Sequence, residues 1–309
     1  MTLLYLSSPA RARIWQPMLQ SALPEIPFWD GLEAVEDPAA VRFVACWTIP
    51  DDLSDRFPNI ELLISVGAGV DQFDFDALPE GVQVVRMITR RIGEMIRDYV
   101  TLGVLALHRD LPTYLGQQRA AEWRAHTVPL ARRRRVGVMG LGQLGLAALD
   151  ALGNFGFQLS GWSRSTKALD GAKNYAGMAQ LPDFLAQTDI LVCLLPLTPE
   201  TRGILNADLF DQLPEGAGLV HCGRGEHLDP GALLEALGTG QLGSVMLDVT
   251  NPEPLPPGDP LWSHPNVILT PHVATETDFA EGAEFCARVI RAHLAGAAIP
   301  GLVDKKRRY

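Results

Sequence analysis

Residues 135–145 read RVGVMGLGQLG. The first five residues form a short, largely apolar run that reads as a strand, and from Gln143 onward the chain is rich in Leu and Ala, which reads as a helix. Between them Gly140, Gly142 and Gly145 match G-x-G-x-x-G in the strand–turn–helix setting that makes the motif informative. The first glycine permits a tight turn, and the second lets the backbone approach a pyrophosphate. The third lets helix and strand pack closely, with the helix N-terminus facing the anion. With Gln143 and Leu144, this turn is read as a dinucleotide site in an α/β protein.

Working outward, apolar β-branched runs predict strands near 3–6, 42–46, 61–66 and 82–85. A second series falls near 135–139, 158–162, 189–195, 217–221, 244–249 and 267–270. Helical patterns lie at 93–109, 143–155, 206–212, 230–237 and 278–295. This alternation implies doubly wound parallel sheets, whose strands are buried on both faces and read as unbroken apolar runs, as in ILVCLLP at 190–196. The series breaks between 110 and 134, a segment rich in Gln, Arg and Ala that includes Trp123. Two domains are expected in 309 residues: an outer substrate domain of 1–98 plus 274–309, and an inserted dinucleotide-binding domain of 99–273. The Pro-rich TNPEPLPPGDP at 250–260 is loop.

The chain is 47% hydrophobic and 20% charged, which suits a soluble globular protein with sizeable cores. Its net charge of −10 argues against nucleic acid or an anionic membrane as partner. The basic stretches Arg132–Arg135 and Lys305–Arg308 are read as solvated surface. No stretch approaches the roughly 20 apolar residues of a membrane span, and the N-terminus lacks a signal-peptide pattern. Cys46, Cys193, Cys222 and Cys286 are far apart, and the seven histidines show no metal-ligand spacing. No metal and no disulfide framework is expected, and the location read is the reducing cytoplasm.

The strand after the glycine turn ends in Ser163, Arg164 and Ser165, with Lys167 close by and no carboxylate before Asp170. An NAD site usually places Asp or Glu there for the ribose 2′-hydroxyl, whereas a guanidinium flanked by hydroxyls suits a 2′-phosphate. NADP is therefore expected over NAD.

Reduction of a carbonyl beside a nicotinamide needs a cation to hold an acid substrate and an acid to protonate the nascent alkoxide. Arg224, in CGRGE just past the strand 217–221, is the candidate cation, since a guanidinium grips a carboxylate bidentately. His272 follows the strand VILT and Pro271, and is the candidate acid. Glu253, in the loop after the strand 244–249, is placed to hydrogen-bond its ring and favour the imidazolium. Asp248 ends that strand and is a candidate acceptor for the nicotinamide carboxamide. His221 and His264 compete as acids, but the first reads as structural and the second as exposed. There is no G-x-S-x-G elbow for hydrolase chemistry. In the first domain the amides of Ala68, Gly69 and Val70 in VGAGVD are candidates for a second carboxylate oxygen, and Trp47 for a pocket wall or for core packing.

These residues resemble the D-isomer-specific 2-hydroxyacid dehydrogenases. The resemblance runs through GAGVD at 67–71, GLGQLG at 140–145, LLPLTPETRGIL at 194–205, GRG at 223–225, LDV at 247–249, Glu253-Pro254 and TPHVA at 270–274. WSRS at 162–165, DQLPEGA at 211–217, PLPPGDPLWSHPNV at 254–267 and the final Tyr309 are similar to the branch of glyoxylate/hydroxypyruvate reductases. The likeness implies an inner Rossmann domain inserted in a flavodoxin-like substrate domain, an active site in the cleft, and a homodimer. It implies that Arg224 holds the substrate carboxylate and carbonyl, His272 donates the proton, Glu253 supports His272 and Asp248 serves the nicotinamide side. Pro196, Thr201 and Cys222 fall with the cofactor-binding motifs. The implied reaction is NADPH-dependent reduction of glyoxylate or hydroxypyruvate.

Two departures bear on the site. Cys222-Gly223 precede Arg224 where many relatives have Ala-Arg, which would give the arginine a looser backbone, although glycine is also an accepted variant there, and Thr250 replaces a bulky aromatic common after LDV. A dehydrogenase of the same family for a larger 2-oxo acid is the alternative activity. A nucleotide-sensing scaffold or corepressor is the alternative class, and no long disordered tail or extra module speaks for it.

Overall fold

Strands buried on both faces organise each half of the chain. In the computed structural model, which describes residues 1–305, the chain divides into two compact units: Met1–Ile92 with the segment from Glu276 onward, and Gly93–Thr275.

The first unit holds β1 (Thr2–Leu6), β2 (Phe28–Asp30), β3 (Val41–Cys46), β4 (Leu62–Ser65) and β5 (Gln83–Val85). They form a parallel sheet in the order β2-β1-β3-β4-β5, the flavodoxin-like arrangement. Alternate residues of β1 serve opposite faces: Leu3 and Tyr5 join a core with Trp15, Leu19, Phe285 and Ile290, while Leu4 joins Phe57, Phe73 and Phe75. The helices Pro9–Ala22 and Phe279–Leu294 supply the first of these layers.

The second unit holds β6 (Arg135–Met139), β7 (Gln158–Ser163), β8 (Ala172–Ala176), β9 (Ile190–Cys193), β10 (Ala217–His221), β11 (Leu242–Leu247) and β12 (Val267–Leu269). Their order, β12-β11-β10-β9-β6-β7-β8, is the doubly wound Rossmann order with one further strand. The strand order reverses between β6 and β9, which makes the carboxyl ends of these two strands the switch point where such sheets bind ligands. One lateral row crosses the whole sheet in register: Tyr175, Trp162, Met139, Cys193, His221, Leu247 and Leu269. Apart from the competing acids His221, a member of the row, and His264, the site candidates read in this unit follow a member of that row closely in the chain.

Among the described residues, six strands and α-helices lie outside the expected pattern: the edge strands β2 and β8 and the helices Pro9–Ala22, Leu53–Arg56, Leu111–Arg119 and Leu181–Leu185. Edge strands lack a continuous apolar run, and AKNYA in β8 buries only Tyr175. The basic run also divides. Arg132 and Arg133 are exposed, but Arg135 pairs with Asp189 (Nη2–Oδ1 2.5 Å), and the Arg134 Nε is buried. Of the basic tail, Lys305 donates to the Pro79 carbonyl (2.9 Å), whereas the rest of it and Tyr309 lie outside the described residues. Among the described residues no helix is long and apolar enough to cross a membrane.

Candidate active site

The glycine turn joins β6 to the helix Gln143–Gly153. Gly140 adopts φ +99°, and a Cβ there would lie 2.5 Å from the Leu194 carbonyl oxygen. A Cβ on Gly145 would lie 1.8 Å from the Gly140 oxygen, so helix and turn touch where only hydrogen fits. A Cβ on Gly142 meets nothing within 4 Å and would project into the open space before the helix. No side chain caps this helix, and the amides of Gln143 and Leu144 have no partner among the described residues. Room for close approach and outward-facing N–H groups are what a pyrophosphate requires, so the turn fits a dinucleotide.

At the end of β7, Arg164, Ser165 and Lys167 are exposed, and the Ser163 hydroxyl donates to the Ser165 carbonyl (2.8 Å), which shapes the turn. A cationic, hydroxyl-rich turn without a carboxylate fits a ribose 2′-phosphate. After β9, the Thr201 hydroxyl donates to the Pro196 carbonyl (2.7 Å) and accepts from the Thr198 amide (2.9 Å), closing the loop at the switch point. Cys222 follows β10, and burial together with nearby Asp248 pushes its thiol well above the ordinary range, so it is a neutral wall rather than a nucleophile.

The three chemical candidates sit at the carboxyl ends of neighbouring strands β10, β11 and β12. The His272 Nδ1 lies 2.8 Å from Glu253 Oε2, and Glu253 Oε1 accepts from the Thr250 amide (3.1 Å). Residues 19 apart in sequence are thus brought into contact by the adjacency of β11 and β12. The carboxylate fixes the proton on Nδ1 and leaves Nε2, which has no hydrogen bond among the described residues, as the reactive face. Both side chains are about one-third exposed (35% and 38%), so reactants can reach them. Arg224 follows β10 and is half-buried, with its Nη1 donating to the Gly223 carbonyl (2.8 Å).

Asp248 has a role that sequence reasoning missed. It is 2% exposed. Its Oδ1 accepts from Thr270 Oγ1 (2.7 Å) and the Val273 amide (2.8 Å), and its Oδ2 from the Ala274 amide (2.8 Å). Its carbonyl accepts from the His272 amide (2.8 Å). The carboxylate therefore grips the segment that carries His272. That segment needs a grip, because His272 adopts φ +55°, a left-handed conformation that costs a non-glycine residue about 1–2 kcal/mol. The Tyr99 hydroxyl continues the chain of bonds to Thr270 Oγ1 (2.5 Å).

The structure also gathers Cys193, His221 and His227, whose ligand atoms lie within 4.8 Å of one another. No sequence spacing signals this cluster. The His227 Nδ1 already accepts from the Arg224 amide (2.9 Å), which leaves fewer free donor atoms than the three or four protein ligands of a zinc site. His264 is half-exposed, and its Nδ1 accepts from the Asn266 amide (3.2 Å) within a turn.

In the first unit, Trp47 is 44% exposed and its ring lies over Gly67, where a Cβ would come within 2.7 Å of it. Trp47 is thus at the surface rather than in the core. The Ser65 hydroxyl donates to the Gly69 carbonyl (2.7 Å) and orders the following turn. The amides of Ala68, Gly69 and Val70 have no partner among the described residues.

With this geometry in view, residues 101–274 match the sequence family described as D-isomer specific 2-hydroxyacid dehydrogenase, NAD binding domain. The chain belongs to the D-isomer specific 2-hydroxyacid dehydrogenases. The match extends well beyond this segment. The chain is 34% identical to a glyoxylate/hydroxypyruvate reductase A from Salmonella paratyphi B, over all of both proteins. A D-isomer specific 2-hydroxyacid dehydrogenase from Xanthobacter autotrophicus Py2, solved with NADPH and MES, is 38% identical with a TM-score of 0.94, covering 100% of this chain and 99% of the other. An NADPH-dependent glyoxylate/hydroxypyruvate reductase from Sinorhizobium meliloti, solved with NADP and sulfate, is 33% identical with a TM-score of 0.90, at 100% and 99% coverage. As a 2-hydroxyacid dehydrogenase, the chain has the fold that its sequence pattern led one to expect: two parallel-sheet units with interleaved helices.

Proposed function

We propose that this dehydrogenase reduces a small 2-oxo acid, glyoxylate or hydroxypyruvate, to the 2-hydroxy acid with NADPH. The observation that carries the reading is the 2.8 Å contact between His272 Nδ1 and Glu253 Oε2 on a strand end beside that of Arg224. It supplies a proton donor next to a cation, the pair that carbonyl reduction of an acid needs. The names of the Salmonella and Sinorhizobium relatives support the substrate class, and the NADPH and NADP in the two related structures support the cofactor.

NADPH, when bound, supplies the hydride. Gly140, Gly142, Gln143, Leu144 and Gly145 would hold its pyrophosphate, and Ser163, Arg164 and Ser165 its 2′-phosphate, with Pro196, Thr201 and Cys222 walling the site. Asp248 spends three of its roughly four acceptor positions on the His272 segment and keeps one for the carboxamide. Arg224 binds the substrate carboxylate and polarises the carbonyl, while the amides of Ala68, Gly69 and Val70 receive a carboxylate oxygen and Trp47 limits substrate size. As the carbonyl oxygen gains charge, His272 gives it the Nε2 proton, and Glu253 stabilises the imidazolium before that transfer. The reading extends to a cytoplasmic homodimer without nucleic-acid or membrane partners, as the family likeness and the net charge of −10 support.

Steady-state NADPH oxidation against glyoxylate, hydroxypyruvate, pyruvate and bulkier 2-oxo acids tests this reading. Turnover favouring the two small acids is expected, and no turnover with any of them refutes it. Arg164→Asp should lose the preference for NADPH over NADH, and its retention would refute the 2′-phosphate assignment.

A further inference from the structure

His221 and His227 are fully buried, and each meets the main chain of Arg224. The His221 Nε2 lies 2.8 Å from the Arg224 carbonyl oxygen, which can only accept, so Nε2 carries the proton. Burial pushes His221 down to about 3, so the ring is neutral. The His227 Nδ1 accepts from the Arg224 amide (2.9 Å), and its Nε2 lies 3.3 Å from the Pro196 carbonyl. The same Nδ1 also lies 3.0 Å from the Arg224 carbonyl oxygen, so the ring sits against both polar groups of that residue's main chain. The His227 amide also donates to the Arg224 carbonyl (3.0 Å), so both polar groups of this residue's main chain are engaged by the histidine pair.

Gly223 belongs to the same construction. A Cβ there would lie 2.8 Å from His227 Nδ1, 3.0 Å from His227 Cε1 and 3.2 Å from His221 Cε1. The glycine that read as loosening the arginine is instead the space into which two imidazole rings close. The looser backbone expected from Cys222-Gly223 is therefore corrected: the residue after the glycine is held at both its N–H and its C=O.

We propose that His221 and His227 form a clamp on the Arg224 peptide and so set the affinity for the substrate carboxylate; they are positioning residues, and the inference rests on Arg224 being the substrate cation. A bidentate guanidinium grip tolerates little displacement, and the side chain inherits its origin from the clamped peptide. Both rings are fully buried and so meet no reactant, which leaves them to act on binding through the Arg224 peptide.

Steady-state kinetics of His221→Leu and His221→Gln with glyoxylate test the clamp, alongside NADPH binding by fluorescence titration. In His221→Leu the Arg224 carbonyl loses its side-chain donor, and KM should rise about tenfold or more, with kcat within about threefold and NADPH affinity unchanged. His221→Gln, whose amide nitrogen reaches about as far as Nε2, should restore most of the affinity. An unchanged KM in a folded His221→Leu, or equal losses in both variants, would overturn the proposal. Should His221→Leu not fold, ¹⁵N spectra of the unaltered protein decide. The His221 ring is expected as the Nε2–H tautomer, without titration between about pH 5 and 9, and an Nδ1–H or doubly protonated His221 ring overturns the clamp. Absence of turnover by the unaltered protein would refute the proposed activity instead, and the His221 tautomer would still report on the clamp.

Discussion

Asp248→Asn is the substitution through which the grip on His272 is best measured. The amide keeps one oxygen. Placed at the Oδ1 position, that oxygen retains the Thr270 hydroxyl and the Val273 amide, while Nδ2 faces the Ala274 amide, donor against donor. Flipped, the oxygen keeps the Ala274 amide and Nδ2 can donate to the Thr270 hydroxyl, but Nδ2 then opposes the Val273 amide and the Thr270 proton must turn toward Tyr99. The better arrangement therefore loses one charge-assisted hydrogen bond, worth about 1.5–3 kcal/mol, and converts two others to weaker neutral ones, at roughly 1 kcal/mol each. The smaller desolvation of a neutral amide at this 2%-exposed site offsets part of the loss. A net destabilisation of about 2–4 kcal/mol is expected. At roughly 2–4 °C per kcal/mol for a unit of this size, thermal unfolding should shift down by about 4–16 °C. Turnover should fall with it, because a released segment lets His272 leave φ +55° and draws its ring away from Glu253. Differential scanning calorimetry with steady-state kinetics on the same preparation reads both effects. A variant within about 0.5 kcal/mol of the parent, or a destabilised one with parental kcat, would show that the carboxylate does not hold the catalytic turn.

Three further outcomes follow from the same geometry. His272→Ala should lower kcat by about two to four orders of magnitude and leave NADPH affinity intact, while Glu253→Gln should lower kcat by roughly ten- to a hundredfold; near-parental kcat in His272→Ala would remove it as the acid. Gly225→Ala places a Cβ 2.0 Å from the Thr250 carbonyl oxygen, so the Glu253 loop must shift and turnover should drop even where urea unfolding reports a folded protein; parental activity would contradict the packing. The lowering of His221 to about 3 by burial means that the unfolded chain, with an ordinary imidazole near 6.5, binds more protons than the folded one between those values. The stability it contributes is therefore complete above about pH 6.5 and lost as pH falls, by up to about 1.4 kcal/mol per pH unit, and a urea midpoint that does not move between pH 7 and 5 would contradict this.

The fold was legible where burial on both faces forces an unbroken apolar run, as in β9, and illegible where it does not. The strand β2 has three residues, with only Phe28 buried. The helix Pro9–Ala22 buries only Ala12, Trp15 and Leu19 and contains Pro17, so its apolar stripe is thin and its propensity poor. The chemical trio was legible for another reason. A polar residue just past an apolar strand has few structural purposes, and Arg224, Glu253 and His272 each follow one.

Contacts across the ends of the strands were the part the sequence concealed. Lateral register sets His221 beside Leu247 and Leu247 beside Leu269, so the residues that follow these three positions converge although about 25 residues of chain separate each pair. Asp248 is the plain case. Read alone, a carboxylate at a strand end looks free to meet a ligand. In register, it faces the amides that follow β12 and becomes the anchor of the turn bearing His272. His221 and His227 repeat the lesson around Arg224: neither has a spacing that marks it, and both take their meaning from the peptide they enclose. A parallel sheet thus sorts its polar residues by position. Those beyond the row of aligned strand ends can face reactants, and those on it or gripping across it hold the others in place. Sequence motifs name the first group readily, because ligand chemistry restricts residue type. They name the second poorly, because any buried acceptor or donor of the right reach satisfies a peptide group.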